Sequence, residues 1–443
     1  MKMSRLYRSL SVAAVSLVLF SGADWTRLRG PDATGISDDK GLPIHWSATE
    51  NVVWKTALPG KGGSSPITLK GKIFLTAYTG YGLDRSNPGD QKDLAHHVLC
   101  FNRADGKLIW EKKSKALLPE QEYDKGHIDL HGYASATPVT DGQSLFVFFG
   151  RSGVRALSLD GKLLWHVEVG TNLNGWGSAA SPILFGDLVI VNASIESESL
   201  VALNKKTGKE VWQATGIRES WSTPAVVELP NGKKELVLAM HSKVLGFDPA
   251  TGERLWQCDG VPDYVVPMTV ADKGVVYITG GRSSSTLAVR AGGRGDVTET
   301  HRLWTLNKGC KVPSPLVHGG LLYWVSNLDT AACIKADTGE VLYHRRLPKR
   351  GAFYGSAVMA EGKIYAVSKM RGTVVLAAGP QFKQLARNDP LDESLFNATP
   401  VITNGQLLLR SDRFLYCIGK QDEARSASET HAADGETWVP SIK

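Results

Sequence analysis

Five stretches of this chain are copies of one pattern. FNRADGKLIW (101–110), LSLDGKLLW (157–165), LNKKTGKEVW (203–212), FDPATGERLW (247–256) and IKADTGEVLY (334–343) each carry an apolar run into a polar turn and out again. In all five an aromatic residue follows a glycine by four positions: Gly106 and Trp110, Gly161 and Trp165, Gly208 and Trp212, Gly252 and Trp256, Gly339 and Tyr343. Glycine tolerates the positive φ that such turns demand. Each copy therefore reads as a β-hairpin whose return strand bears a large ring.

A second pattern alternates with the first: a small residue and a proline, a short apolar strand, a polar turn, and another apolar strand. Its eight copies are marked by Pro66, Pro138, Pro182, Pro224, Pro267, Pro315 and Pro400, with Ala357 in the seventh place. All steps but the first fall between 42 and 48 residues. Two hairpins per period of that length describe one four-stranded blade of a β-propeller. The longer first step holds two polar insertions, 79–96 and 114–131, read as loops. The fifth unit has its own insertion, 290–301.

The eighth repeat stops after a third strand, RFLYCIGK (413–420). The missing fourth strand, with its tryptophan, stands near the other end as NVVWKTAL (51–58) with Trp54. Pairing the two ends removes an exposed strand edge. The expectation is an all-β, eight-bladed β-propeller of four-stranded antiparallel blades, a single domain over 24–420, closed by strand 51–58 completing the last blade.

The flanks read differently. Residues 1–23 combine Lys2, Arg5 and Arg8 with an apolar run and the small residues Ser21, Gly22 and Ala23, the pattern of a secretory leader. No cysteine follows that run, so the mature chain is expected to be secreted or periplasmic, not a lipoprotein, without a transmembrane segment, and monomeric. Loss of the leader's three basic residues lowers the formal charge from +7 to +4, with no clustered basic run for nucleic acid. The five cysteines are odd in number and scattered, which suits buried thiols better than a disulfide framework. The tail 421–443 is polar and is expected to be disordered.

The copies at 203–212 and 247–256 resemble the pyrroloquinoline-quinone-type propeller repeat, through Asn204, Thr207, Gly208 and Trp212 and through Asp248, Thr251, Gly252 and Trp256. The resemblance covers about 51–420 and extends to the outer-membrane assembly propeller. It implies a docking role between blades for Trp54, Trp110, Trp165, Trp212, Trp256, Trp304 and Tyr343. It also implies an exported, non-catalytic binding or scaffold protein, partnered by an envelope or extracellular protein or a glycan. One alternative is a quinoprotein oxidoreductase holding pyrroloquinoline quinone (PQQ) and Ca²⁺ in the funnel. The other is a polysaccharide-binding or polysaccharide-active protein.

The segment before each proline leads to the innermost strand, beside the central channel. Three places before the reference residue stand Gly63, Ser135, Ala179, Trp221, Tyr264, Val312, Tyr354 and Asn397. Nearby loops add His127, Asp129, His131, Trp176, Arg218 and Glu219. His127, Asp129 and His131 alternate as a strand would, which makes them an unspecific candidate ligand set for a metal. Arg294-Gly295-Asp296 reads as a turn, and Asn192 and Asn397 fit the glycosylation acceptor pattern.

Overall fold

The computed structural model describes residues 23–348 and 351–420. The leader assigned to 1–23, apart from Ala23, and the tail at 421–443 lie outside the described residues. Eight sheets succeed one another along the chain. Blade 1 spans 67–115, blade 2 139–167, blade 3 183–215, blade 4 225–259, blade 5 270–306, blade 6 316–346 and blade 7 358–388. Blade 8 takes three strands from 401–418 and its outermost strand, Val52–Ala57, from the N-terminal side. There Trp54 faces Cys417 and Ala57 faces Phe414 in antiparallel register, so the ring closes as the incomplete repeat required.

The middle strands read as unbroken apolar runs because both of their faces are covered. In blade 1, Phe74, Tyr78, Val98 and Cys100 pack towards blade 2, while Ile73, Leu75, Ala77, Leu99 and Phe101 pack towards blade 8. Period-two alternation thus sends each half of a strand into a different apolar layer. The core is accordingly a set of layers between successive blades. The layer joining blades 7, 8 and 1 also takes Trp25, Leu42 and Trp46 from the N-terminal segment. All five cysteines are buried and unpaired.

The glycine-to-tryptophan spacing acquires its meaning across blades. Trp54 lies against Gly106 of blade 1, Trp110 against Gly161 of blade 2, Trp165 against Gly208 of blade 3, Trp212 against Gly252 of blade 4, and Trp304 against Gly339 of blade 6. At Gly106 φ is 70° and an added Cβ would stand 2.5 Å from the Trp54 ring, so backbone and neighbour both demand glycine. The indoles of Trp54, Trp110, Trp165 and Trp304 donate to carbonyls of Arg103, Leu159, Lys205 and Ala336 in those same turns. Tyr343 meets Phe382 of blade 7 edge-on, with centroids 5.7 Å apart. Each copy offers its turn to the blade before it and its ring to the blade after it.

Trp256 departs from this scheme because blade 5 carries its insertion where the receiving turn would be. Gly295–Asp296 pairs in parallel with the outermost strand of blade 4, beside Trp256 and Gln257. Buried Glu235 accepts from Trp256 Nε1 at 2.7 Å, from the Gly292 amide at 2.9 Å and from Arg294 Nη1 at 3.0 Å. The Arg-Gly-Asp stretch expected as a turn is therefore a fifth strand, strapping blade 5 onto blade 4.

A register expectation also fails in blade 5. Its innermost strand starts at Val270, whereas the others start one residue after the reference position. Thr269, not Pro267, occupies the repeat's place. The cross-blade bonds decide this, with Met268 N–H donating to Ser314 Oγ at 3.0 Å and Thr269 N–H to the Thr223 carbonyl at 3.3 Å.

The segment 24–50 crosses the face opposite the blade-to-blade loops. Trp25 and Thr26 carbonyls accept from Thr68 of blade 1 and Thr140 of blade 2. Arg29, fully buried and pushed down to about 9 by desolvation, reaches the Pro315 carbonyl of blade 6. Ile36–Ser37 then pairs in parallel with the innermost strand of blade 7. No helix among the described residues is long and apolar enough to cross a membrane.

Candidate functional site

The segments entering the innermost strands line an axial cup of about 180 Å³. Each blade contributes two residues, one and three places before its reference position: Gly63 and Ser65, Ser135 and Thr137, Ala179 and Ser181, Trp221 and Thr223, Val266 and Met268, Val312 and Ser314, Tyr354 and Ser356, Asn397 and Thr399. Extended backbone turns alternate residues to one side, which is why both sets face the axis. Leu28 of the N-terminal segment and Leu130, His131 and Trp176 of the long loops complete the wall.

The inner set forms a belt that the sequence reading passed over. Ser65 N–H donates to Thr137 Oγ1, Thr137 N–H to Ser181 Oγ and Ser181 N–H to Thr223 Oγ1, each at 2.9 Å. After a gap at Met268 the pattern resumes through Ser314, Ser356 and Thr399 and returns from Thr399 N–H to Ser65 Oγ at 3.1 Å. The available signal was the hydroxyl identity of the small residue before the proline in seven of the eight repeats.

The outer set and the loops are brought together in part. His131 Nε2 donates to the Trp176 carbonyl at 2.7 Å, which leaves Nδ1 to accept from the Ser135 hydroxyl at 2.6 Å. Burial pushes this imidazole below its ordinary value. His127 is exposed and packs on Trp176, with centroids 4.2 Å apart. Asp129 is held by Arg85 at 2.7 Å. The three lie around a 3-10 turn, Ile128–Leu130, so the strand-like shared face expected for a metal does not exist. Among the described residues no group of three or more His, Cys, Asp or Glu side chains is placed to hold a metal.

Trp176 also packs on Tyr264, centroids 5.7 Å apart, and edge-on to Trp221 at 6.4 Å. Trp221 donates to the Gly177 carbonyl at 2.6 Å. Tyr264, two residues out of register, leans on this cluster and does not line the cup as its position suggested, since Val266 takes that place. Tyr354 is on the wall, with the Lys369 ammonium 4.0 Å over its ring, and burial lowers the Lys369 pKa against the pull of Asp412 and Asp129. Asn397 donates to the Leu130 carbonyl at 3.1 Å, and its buried Oδ1 has no partner. Arg218 and Glu219 lie outside the cup, paired to Glu198 at 2.9 Å and His241 at 2.7 Å. Asn192 is buried, its amide donating to Ser220 and Ser222, so a glycan cannot reach it.

A smaller cavity of about 30 Å³ lies beside the cup and holds two buried carboxyls, Glu120 and Glu196. Burial pushes Glu196 up to about 7. Burial, joined by repulsion from Glu196, pushes Glu120 up to about 8. Glu196 accepts from the Ser178 hydroxyl, while its Oε2 has no partner. Both residues sit in polar loops with nothing in their spacing to distinguish them.

No curated protein matches the chain. Among solved structures, the chain is similar to BamB from Moraxella catarrhalis, with a TM-score of 0.59 and 15% identity over 84% of this chain and 98% of that one. It is similar also to the computationally designed Ika8 protein, with a TM-score of 0.58 and 13% identity over 83% of this chain and 99% of that one. At such identities these likenesses speak to fold alone. The family model described as outer membrane protein assembly factor BamB matches residues 92–279 and 240–379, well over half of the chain. A closed ring of eight blades, joined ring-to-turn by the repeated aromatics and matched across most of its length by that model, belongs to the BamB-like family of PQQ-type repeat propellers.

Proposed function

We propose that this chain is an exported, non-catalytic propeller that docks a protein partner in the cell envelope through the face that carries the cup. The carrying observation is where apolar side chains are left uncovered. Of the eleven large apolar residues exposed among the described residues, six lie on outermost strands around the rim, and the other five, Leu83, Leu118, Leu173, Leu328 and Met370, all sit on the loops of that one face. Exposed apolar residues gathered on one face suit a contact with another protein. The first blade's long loops and the His127–Trp176–Tyr264 cluster enlarge the same surface.

The cup itself is poorly equipped for catalysis. Its ionisable groups are His131, whose two ring nitrogens are already engaged, and Tyr354. A quinone with Ca²⁺ fits this donor set badly. A hard cation takes six to eight oxygens, commonly from carboxylates, and the wall supplies hydroxyls and one amide.

The test is capture from a bacterial envelope extract on immobilised protein, run beside the double variant Leu328→Asp/Met370→Asp. A partner held by the parent and lost by the variant, with an unchanged melting temperature, is the expected result. Equal capture by both proteins would remove the basis for this face. Dye reduction after addition of PQQ and Ca²⁺ would overturn the non-catalytic reading.

A further inference from the structure

The belt hydroxyls carry an imbalance that the fold does not resolve. Each of the seven accepts one backbone N–H from the neighbouring blade. Among the described residues none of them has a protein acceptor for its own proton, and all seven line the cup. A hydroxyl is a donor as well as an acceptor, so the channel is ringed by O–H donors in need of acceptor oxygens. Asn397, on the same wall, presents the opposite need through its unpartnered Oδ1. Between these groups the wall is apolar, through Trp221, Val312, Ala179 and Leu28.

From this pattern we infer that the cup binds a small neutral polyhydroxylated ring, a monosaccharide or cyclitol, in free form or at the end of a glycan. The inference rests on the reading of this face as the recognition face. Three ligand classes can be compared. A purely apolar ring would leave the belt's protons unpaired once water is expelled. An anion would have to shed its hydration with no cation on the wall to receive it. A polyol meets both needs: its oxygens accept from the belt, one of its hydroxyls donates to Asn397 Oδ1, and its C–H face lies on Trp221. The volume agrees, because a cavity of about 150 Å³ holds benzene, and this one, at about 180 Å³, leaves room for ring hydroxyls.

Titration calorimetry and thermal shift with glucose, N-acetylglucosamine and myo-inositol, against glucuronate and phenol as matched controls, test the assignment. At least one neutral polyol should bind saturably and raise the melting temperature, with glucuronate and phenol at least tenfold weaker. Val312→Phe fills the cup without touching the belt and should abolish binding with the fold intact. Asn397→Leu should weaken it about tenfold while keeping the belt. No heat or shift from any polyol at 50 mM overturns the inference, as does preferential binding of phenol or glucuronate, or binding that survives Val312→Phe. Envelope capture by the parent without any polyol binding would sink this inference alone, whereas loss of both would sink the face.

Discussion

Trp54, at the start of the ordered ring, donates its indole N–H to the carbonyl of Arg103 at 3.0 Å, and so joins the last blade to the first. The contact repeats the Trp110-to-Leu159 arrangement between blades 1 and 2. At this junction, however, the strand comes from the opposite end of the chain. Trp54→Ala removes a buried ring and opens a cavity beside Gly106, at a cost of about 3–4 kcal/mol. The denaturation midpoint should fall with the slope nearly unchanged. Deletion of 24–57 should do far more, lowering the melting temperature sharply and promoting oligomers through the bare edge strand, which size-exclusion chromatography would reveal.

Glu235 is the anchor of the strap between blades 4 and 5. Glu235→Ala strands the buried indole of Trp256 and the Gly292 amide without an acceptor and releases Arg294. A loss of about 2–4 kcal/mol is expected. Amide exchange over 290–301 should rise selectively, and equal protection in the variant would show that the strand pairing holds the strap by itself.

The belt makes a narrower prediction. Thr137→Val keeps the side-chain shape but leaves the buried Ser65 N–H unpaired, which costs about 1–3 kcal/mol. Ser135→Val, by contrast, leaves the belt bonds in place and removes only the hydroxyl bonded to His131 Nδ1, so a comparison of the two chemical denaturation curves separates the belt from that contact.

Stability should depend on pH through Glu196 and Glu120. Both carboxyls are raised in the folded protein from an ordinary value of 4.5, to about 7 and about 8. The folded state therefore keeps protons that the unfolded chain releases. Their contribution is complete below about pH 4.5, declines as pH rises through these values, and is gone above about pH 8. Midpoints measured from pH 6.5 to 8.5 should fall, whereas below pH 6.5 the buried imidazoles of His96 and His131, held below their ordinary value by desolvation, oppose the trend. Glu196→Gln should flatten the lower part of that slope and stabilise the protein at pH 8 by on the order of 3 kcal/mol. A parallel decline in the variant would show that other groups control it.

Much of this molecule was legible from its letters because repetition is a local property. The hairpin turns, the eightfold count and the orphan strand around Trp54 follow from glycine tolerance, strand alternation and the need to cover an edge. The axial ring was legible for the same reason, since seven of its eight positions lie at a constant offset from a repeated proline or its substitute. Where the period was broken, at Pro267, the reading slipped by two residues and took Tyr264 for Val266.

What only the tertiary structure decided are the relations between residues that no period connects. The partner of Gly106 is Trp54 and not Trp110, because each ring seats in the following blade's turn. The carboxylate that holds the 290–301 strap is Glu235, about sixty residues away in sequence. Residues 24–50 carry no repeat, so their passage across the opposite face was invisible. Glu120 and Glu196 became a pair only when three blades met around them. Periodic side chains report the environment that their own backbone geometry imposes, whereas these contacts depend on which surfaces the closed ring presses together.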